Sequence, residues 1–343
     1  MIKNFLHFDI LPLVLSVVLY LLIYLLRLQQ GGWDVKFDLF SSQRDSLDKK
    51  IAEFLPSPQA ELLSGILIGQ NKKLPAGFKL SLRDTSTLHI VVASGQNLSM
   101  VAGFFLGLSG LIKKKNAVLL GLLAAILYTL LTGLQVPILR AAVMFGLASL
   151  AQLFGRDKDS WRILAVTAGA MLLINPNWIT EISFQLSFLA TFGVVVVAPI
   201  FLKWLKVVPI IGQDLAVTLA AQLMVTPVIA QNFHQISLVS LITNTLILWT
   251  IPFIMIGGAI MIILGFFWSF LGQLVSLVVI ALLSYFIYIV KFFASLPFAW
   301  EYIGEKLWIV WVGYYLMVGG VLHFMLSLNN DQGSDIRKSQ KSS

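Results

Sequence analysis

One stretch of this sequence, from Leu215 to Val290, contains no Asp, Glu, Lys or Arg. Soluble chains contain about 25% charged residues, whereas this chain contains 12% charged and 58% hydrophobic residues. Water would not accommodate so long an uncharged surface, but lipid does. The sequence therefore predicts an all-α integral membrane protein, because helices satisfy their backbone hydrogen bonds internally.

Apolar segments separated by short polar loops predict about ten transmembrane helices, with one broken or re-entrant element. Residues 1–27 are expected to form a retained first span, because their apolar run exceeds the roughly 7–15 residues of a signal peptide. The predicted spans are 9–27, 88–112, 116–133, 136–155, 160–175, 182–202, 211–233, 238–263, 270–296 and 307–328.

The remaining segments are polar or too short to cross a bilayer. Residues 28–87 are predicted to form an extracytoplasmic linker with interfacial helices, and the apolar run at 61–69 fits an interfacial or re-entrant helix. Residues 88–328 form the predicted polytopic membrane domain. The polar residues 329–343 are predicted to be a disordered cytoplasmic tail.

Basic residues predict the orientation of the chain. Lys and Arg collect in cytoplasmic loops of membrane proteins. Threading ten spans puts the clusters at 113–115, 156–162, 203–206 and 337–341 on one side. Both termini are therefore predicted to be cytoplasmic, in a multi-pass protein of the inner membrane.

Polar groups inside a bilayer are expensive, which makes them candidates for function. The sequence Ser94-Gly95-Gln96-Asn97 interrupts an apolar segment a few residues after His89, and Gly alone costs about 1 kcal/mol relative to Ala in a helix interior. We interpret it as a polar elbow that lines a path. The alternative is a tight helix crossing between small residues.

Arg140 lies about one turn into a predicted span that Pro137 begins. An Arg in mid-span costs about 2.5–3.5 kcal/mol on insertion scales. Two interpretations remain open: the side chain snorkels to the interface, or it meets an anionic substrate. We expect the 94–97 elbow to lie close to Arg140, with the Gln96 or Asn97 amide bonded to the guanidinium.

A polar stripe with a spacing of four residues begins at Asp214 and includes Gln222. Such a stripe faces the interior of a bundle or a pore, or it holds helices together through hydrogen bonds. Asp214 could also be interfacial. Gln185 and Asn244 are weaker candidates of the same kind.

The sequence argues against metal, cofactor and ATP chemistry. The chain has no Cys, and its four His residues are far apart without an HxH or HExxH pattern. No Walker motif is present. We therefore expect no metal, no cofactor and no enzymatic activity, and a motor for any transport must be a separate protein.

Four short motifs, in order over roughly residues 55–265, resemble those of the ComEC-type competence domain. The motifs are Ser94-Gly95-Gln96-Asn97 after His89, Leu131-Thr132-Gly133 with Pro137 and Arg140, Phe184-Gln185-Leu186-Ser187-Phe188, and Ser237-Leu238-Val239-Ser240 with Asn244. The resemblance implies an inner-membrane channel that passes one DNA strand into the cytoplasm during natural transformation. The path residues that we expect are His89, Ser94, Gly95, Gln96, Asn97, Arg140, Gln185, Asp214, Gln222 and Asn244.

The resemblance also implies partners. These are single-stranded DNA, a separate cytoplasmic motor, a DNA receptor, a separate nuclease, membrane lipid and a second copy of the chain in a homo-oligomer. Asn97 stands where the family usually has a second His. The chain also lacks room at 28–60 for an OB-like domain, and it shows no metallo-β-lactamase-like HxHxDH cluster. We therefore expect the membrane channel alone.

Two other functions remain open from the sequence. One is transport of another solute or a lipid, although a proton-coupled carrier normally shows several buried carboxylates. The other is an intramembrane serine hydrolase with Ser94 as nucleophile and a His as base.

Overall fold

The computed structural model describes residues 10–31, 38–92, 94–155, 159–204 and 212–339. Helices dominate this part of the chain, and its one sheet is an antiparallel ribbon of two short strands, β1 and β2. The elements are α1 (Ile10–Gln30), α2 (Ser41–Phe54), α3 (Gln59–Ile68), α4 (Ala76–Asp84), α5 (Leu88–Val91), α6 (Gly95–Gly107), α7 (Lys114–Leu131), α8 (Val136–Leu153), α9 (Ser160–Ile174), α10 (Ile182–Phe192), α11 (Ala198–Trp204), α12 (Gly212–Phe233), β1 (Gln235–Ser237), α13 (Ser240–Leu248), α14 (Thr250–Phe267), α15 (Ser269–Ala294), β2 (Trp300–Tyr302) and α16 (Trp308–Ser339).

Seven helices in the described part are long and apolar enough to cross a membrane, counting α10 and α11 as one continuous helix. The apolar segments Leu15–Gln30, Gln59–Ile68 and Ser160–Ile174 are shorter. Large apolar side chains cover the outer surface of these helices, as lipid contact requires. The predicted all-α membrane fold is confirmed, and the number ten stays a prediction.

Three predicted segments differ in the structure. The segment 88–112 is divided into α5 and α6, because Ser94 caps a new helix instead of continuing the first. The segment 238–263 is not one span: α13 ends at Leu248, and α14 continues to Phe267. The backbone of α16 is helical as far as Ser339, beyond the predicted boundary at 328, and no proline interrupts the polar residues there.

The two ends of the bundle can be distinguished by contacts between neighbouring helices. Near its start, α8 contacts the first half of α10 through Arg140 and Ser187. The π-helical turn Gly193–Val197, between α10 and α11, packs on α12 at Ala220. Because only a short segment of chain joins α11 to α12, these packed helices run antiparallel. The last residues of α7, the first residues of α8 and the last residues of α12 therefore lie at the same end of the bundle as the β1–β2 ribbon. We call this the β end.

The opposite end, which we call the far end, carries described members of the basic clusters from which the orientation is predicted. Lys113, Lys114 and Lys115 precede or begin α7, and Lys203 lies in the last turn of α11. The helix α16 starts at the β end, where the Trp311 Nε1–H donates to Gln231, and it runs to the far end. The cluster members Arg156, Lys158 and Lys206 lie outside the described residues.

The largest buried core lies where α2, α3 and α4 pack against α14 and α15. Nearly every residue of α3 is buried, including Leu62, Leu63 and Ile66 at 0% exposure. Gly258 of α14 provides the space for this contact, because a Cβ there would come within 2.7 Å of Leu63 Cδ1. The segment predicted as a linker is thus an integral layer of the bundle.

Candidate functional site

Arg140 is the centre of the candidate site. Proline in the first turn of α8 fixes the start of that helix, which places Arg140 about one turn inside. Its Nε–H donates to Ser187 Oγ at 2.6 Å, and its Nη1 donates to the Thr191 hydroxyl and to Met144 Sδ. The Phe188 ring lies 5.9 Å from the guanidinium carbon. Two hydroxyls, a thioether and an aromatic face therefore hold this partly buried cation.

None of these partners carries a negative charge. The ion pairs of the described residues join other side chains, and none includes Arg140. Hydroxyl oxygens orient a guanidinium but leave its positive charge intact, whereas a carboxylate would neutralise it. The arrangement can therefore attract an anionic group at this depth of the bundle.

The 94–97 elbow lies beside Arg140, which the sequence predicted. A Cβ added at Gly95 would lie 3.0 Å from Arg140 Nη2 and 3.1 Å from the Ala141 Cβ. Glycine at this position thus permits the close approach of the guanidinium to the start of α6. The predicted bond from Gln96 or Asn97 to the guanidinium is wrong, because the α10 hydroxyls occupy that role.

Asn97 instead joins α6 to α3. It is 1% exposed, and its Nδ2 donates to Ile66 O at 2.8 Å. Ser94 Oγ donates to Asn97 Oδ1 at 3.1 Å and caps α6 by accepting from the Asn97 N–H. An amide is needed here because it donates and accepts at once.

The Ser94 hydroxyl takes part in the capping bonds just described. The His89 ring nitrogen Nδ1 lies 2.9 Å from Ser86 O. The hydrogen bonds of Ser94 and His89 therefore lead to different partners. Gln96 is exposed at the start of α6, and His89 is exposed on α5.

Arg44 of α2 is a second important arginine, and the sequence did not single it out. Its side chain is 7% exposed. Its Nη1 donates to Leu131 O at 2.9 Å, in the last turn of α7, and its Nη2 pairs with Asp38. This hydrogen bond lowers the pKa of the Asp38 carboxyl below its ordinary value. A cation at a helix C-terminus is favoured by the carbonyls exposed there.

Gly133 and Gln135 lie in the turn between α7 and α8. Gly133 has φ +85° and lies against the Arg44 guanidinium, since a Cβ there would be 3.3 Å from Nη1. Gln135 Nε2 donates to Gly69 O at the end of α3, at 3.4 Å. Arg44 and Gln135 thus attach the turn that precedes Arg140 to α2 and α3.

Gln222 and Asn244 belong to a second polar contact, between α12 and α13. Gln222 Nε2 donates to Ser240 Oγ at 2.5 Å. Asn244 lies one turn beyond Ser240 on the same face of α13, is 5% exposed, and has a buried Oδ1 without a hydrogen-bond partner. The α12–α13 contact lies on the other side of α10 from Arg140. Gly193, which follows α10, packs closely on Ala220 of α12 and connects the two polar contacts.

The remaining candidates lie apart from these contacts. Gln185 folds back to donate to Ile179 O at 2.9 Å, just before its own helix α10. Asp214 is exposed at the start of α12, next to residues outside the described range. The structure therefore brings together Gly95 and Arg140, and separately Gln222 and Ser240, but not the whole predicted set.

Sequence reasoning missed Ser187, Thr191 and Arg44. Ser187 and Thr191 are four residues apart in an apolar helix, so they share one face, and this spacing could have marked them as partners for a buried cation. Arg44 lies in a polar helix, where nothing in the sequence distinguishes it from an exposed arginine.

Comparison with known proteins agrees with these motifs. The family model described as "Competence protein" matches residues 66–327. This chain belongs to the competence protein family. The match covers the helices that carry Arg140, the elbow and the α12–α13 contact.

Three relatives are 28–31% identical to this chain over the residues that align. The chain is 30% identical over 227 residues to "ComE operon protein 3" of Bacillus subtilis (strain 168), covering 63% of this chain and 28% of the relative. It is 28% identical over 223 residues to the uncharacterized protein YcaI of Escherichia coli (strain K12), covering 58% and 28%. An uncharacterized protein of Aquifex aeolicus (strain VF5) is 31% identical over 157 residues, covering 45% and 37%. The chain thus spans between a quarter and two fifths of these relatives, and no solved structure matches it.

Proposed function

We propose that this protein is an inner-membrane channel that passes single-stranded DNA into the cytoplasm during natural transformation. The observation that carries the proposal is the Arg140 site. The Arg140 guanidinium is a partly buried cation that two hydroxyls hold and that pairs with no carboxylate of the described residues, so it is suited to a phosphate group. Single-stranded DNA presents such a group at every nucleotide. Membership of the competence protein family supports DNA as the polyanion.

The orientation that we propose rests on the distribution of basic residues between the two ends of the bundle. The basic residues Lys113, Lys114, Lys115 and Lys203 lie at the far end, which is then the cytoplasmic one. The start of α1 and the end of α16 also lie there: Tyr20 donates to Gly169 O and Arg27 to Ile174 O, so α1 runs parallel to α9. This supports ten passes with both termini cytoplasmic. DNA would enter at the β end.

The chain requires partners in this role. A separate motor must drive the strand, since the sequence has no ATP-binding motif. We propose a DNA receptor and a nuclease as further partners. We also propose that a second copy of the chain completes the channel in a homo-oligomer, with membrane lipid around it.

The experiment is a charge series at Arg140, with entry of labelled DNA into the cytoplasm as the measurement. Arg140→Glu is expected to abolish entry, because it repels phosphate. Arg140→Lys is expected to reduce entry less, because Lys keeps the charge but loses the planar fork. The matched control is Arg83→Glu, which reverses an exposed arginine of α4. Normal entry in an inserted and stable Arg140→Glu protein would contradict the proposal.

A further inference from the structure

We infer that α2 and α3 form a re-entrant hairpin that enters the bundle from the β end, and that the exposed polar face of α2 lines a water-filled vestibule. The open ends of this hairpin are the start of α2 and the end of α3, and its apex is the connection at 55–58. The inference rests on how the two helices pair, where the open ends and the apex lie, what the buried face packs against and which charges the exposed face carries.

The two helices are paired with each other. Ser64 Oγ of α3 donates to Asp48 Oδ1 of α2 at 2.5 Å. The same carboxylate forms an ion pair with Lys73, which follows α3. Asp48 and Ser64 lie at similar distances from the connection at 55–58, so α2 and α3 are antiparallel neighbours.

The open ends of the hairpin lie at the β end. Near the start of α2, Arg44 donates to Leu131 O at the end of α7. Just after α3, Gly69 O accepts a hydrogen bond from Gln135, in the turn before α8. Both contacts are with the α7–α8 turn, so the hairpin begins and ends at one face.

The apex reaches toward the far end. The Phe54 ring fills the space left by Gly265 and Gly272, where added Cβ atoms would come within 2.6 and 2.9 Å of it. These glycines flank the connection between α14 and α15. That connection lies away from the β end, because α15 runs from it toward β2. From Arg44 to Phe54 the helix rises about 15 Å at 1.5 Å per residue, roughly half of a 30 Å hydrocarbon core.

The buried face of the hairpin packs against protein at every level. Ile51 of α2 is 0% exposed. Gln59 Nε2, five residues beyond Phe54, donates to Ser284 Oγ in the second half of α15, at 3.1 Å, so the chain has already turned back toward the β end at the start of α3. Asn97 donates to Ile66 O from the α6 side. The hairpin is therefore held between α6 and the α14–α15 pair.

The other face of α2 is exposed and polar. It carries Gln43, Asp45, Ser46, Lys49 and Glu53. Charged side chains inside a membrane protein face the bundle interior or a water-filled cavity, because lipid contact would cost several kcal/mol. At the depth that Phe54 indicates, this face must therefore contact water. On the proposed function, on which this step rests, the vestibule is the entry route of the DNA strand toward Arg140.

The test uses single cysteines, because the native chain contains none. Gln43→Cys and Glu53→Cys report on the start and the apex of α2. Leu274→Cys is the control, since Leu274 is 56% exposed and lies two residues from Gly272, beside the apex. Each full-length variant is treated with a small membrane-impermeant thiol reagent in intact cells and in inverted vesicles. A spin label at residue 274 then reports its depth.

We expect Gln43→Cys and Glu53→Cys to react from the same, outer face, and Leu274→Cys to stay unreactive with its label in the hydrocarbon. Labelling of Gln43→Cys and Glu53→Cys from opposite faces would show a transmembrane α2 and overturn the inference. An unreactive Glu53→Cys, or a residue 274 label at headgroup depth, would overturn it as well. A bulky thiol adduct at Glu53→Cys is expected to block DNA entry. Normal entry with the accessibility pattern intact would instead count against DNA as the cargo.

Discussion

Replacing Arg44 by Met should destabilise the protein, because it removes the cation from the end of α7 while keeping most of the side-chain volume. The Leu131 carbonyl would lose a 2.9 Å hydrogen bond in a buried location. An unsatisfied buried acceptor costs about 1–3 kcal/mol. The lost interaction with the helix C-terminus adds about 0.3–2 kcal/mol, whereas the pair with Asp38, which is 51% exposed, adds at most about 1 kcal/mol.

The expected loss for Arg44→Met is therefore about 1–6 kcal/mol. The assay is thermal unfolding of the purified protein in detergent, followed by size-exclusion chromatography of what remains folded. Lys49→Met is the matched control, because Lys49 is an exposed residue of the same helix. If Arg44→Met is as stable as Lys49→Met, the bond from α2 does not hold the α7–α8 turn, and the reasoning about Arg44 is refuted.

Two further substitutions test the packing around the site. Gly193→Val should prevent accumulation of folded protein, because its Cβ would lie 2.4 Å from the Ala220 carbonyl oxygen and the backbone cannot move aside. The control Gly146→Val is at a position with open space and should express normally. Equal yields of the two variants would contradict the packing of Gly193 on α12. Asn97→Leu should lower the free energy of unfolding by about 1–3 kcal/mol, because Ile66 O loses its hydrogen-bond donor. The control is Gln96→Leu, at an exposed position of the same helix. Equal melting temperatures of the two variants would show that the bond between α3 and α6 contributes nothing to stability.

The membrane class and the family could be predicted because they depend on local chemistry. An uncharged stretch such as 215–290 has no stable location outside a bilayer, and Ser94-Gly95 interrupts a helix in any surroundings. The proximity of the elbow to Arg140 was also predictable. Both features begin helices that start from the same side, so they share a layer.

The partners of the polar groups could not be predicted, because they depend on which helix faces which. Asn97 was expected to bond to Arg140, but it faces α3, and α10 supplies the hydroxyls of Ser187 and Thr191. Residues 28–87 were expected to be an extracytoplasmic linker with interfacial helices, and the packing of α2, α3 and α4 on α14 and α15 could not be predicted from their sequence. The burial of these helices rests on a few residues, such as Ile51 and Phe54, and on the glycines of α14 and α15 that receive them.

The most direct test of the central proposal is whether DNA in transit passes the Arg140 site. Phe188, whose ring lies over the Arg140 guanidinium, can be replaced by photo-reactive benzoylphenylalanine and irradiated during uptake of labelled DNA. Phe104 is the matched control, because it is an aromatic side chain exposed on the outer surface, at 64%. We expect the labelled strand to crosslink to residue 188 and not to residue 104. Normal DNA uptake with no crosslink at residue 188, or with equal crosslinking at both positions, would contradict the proposed path.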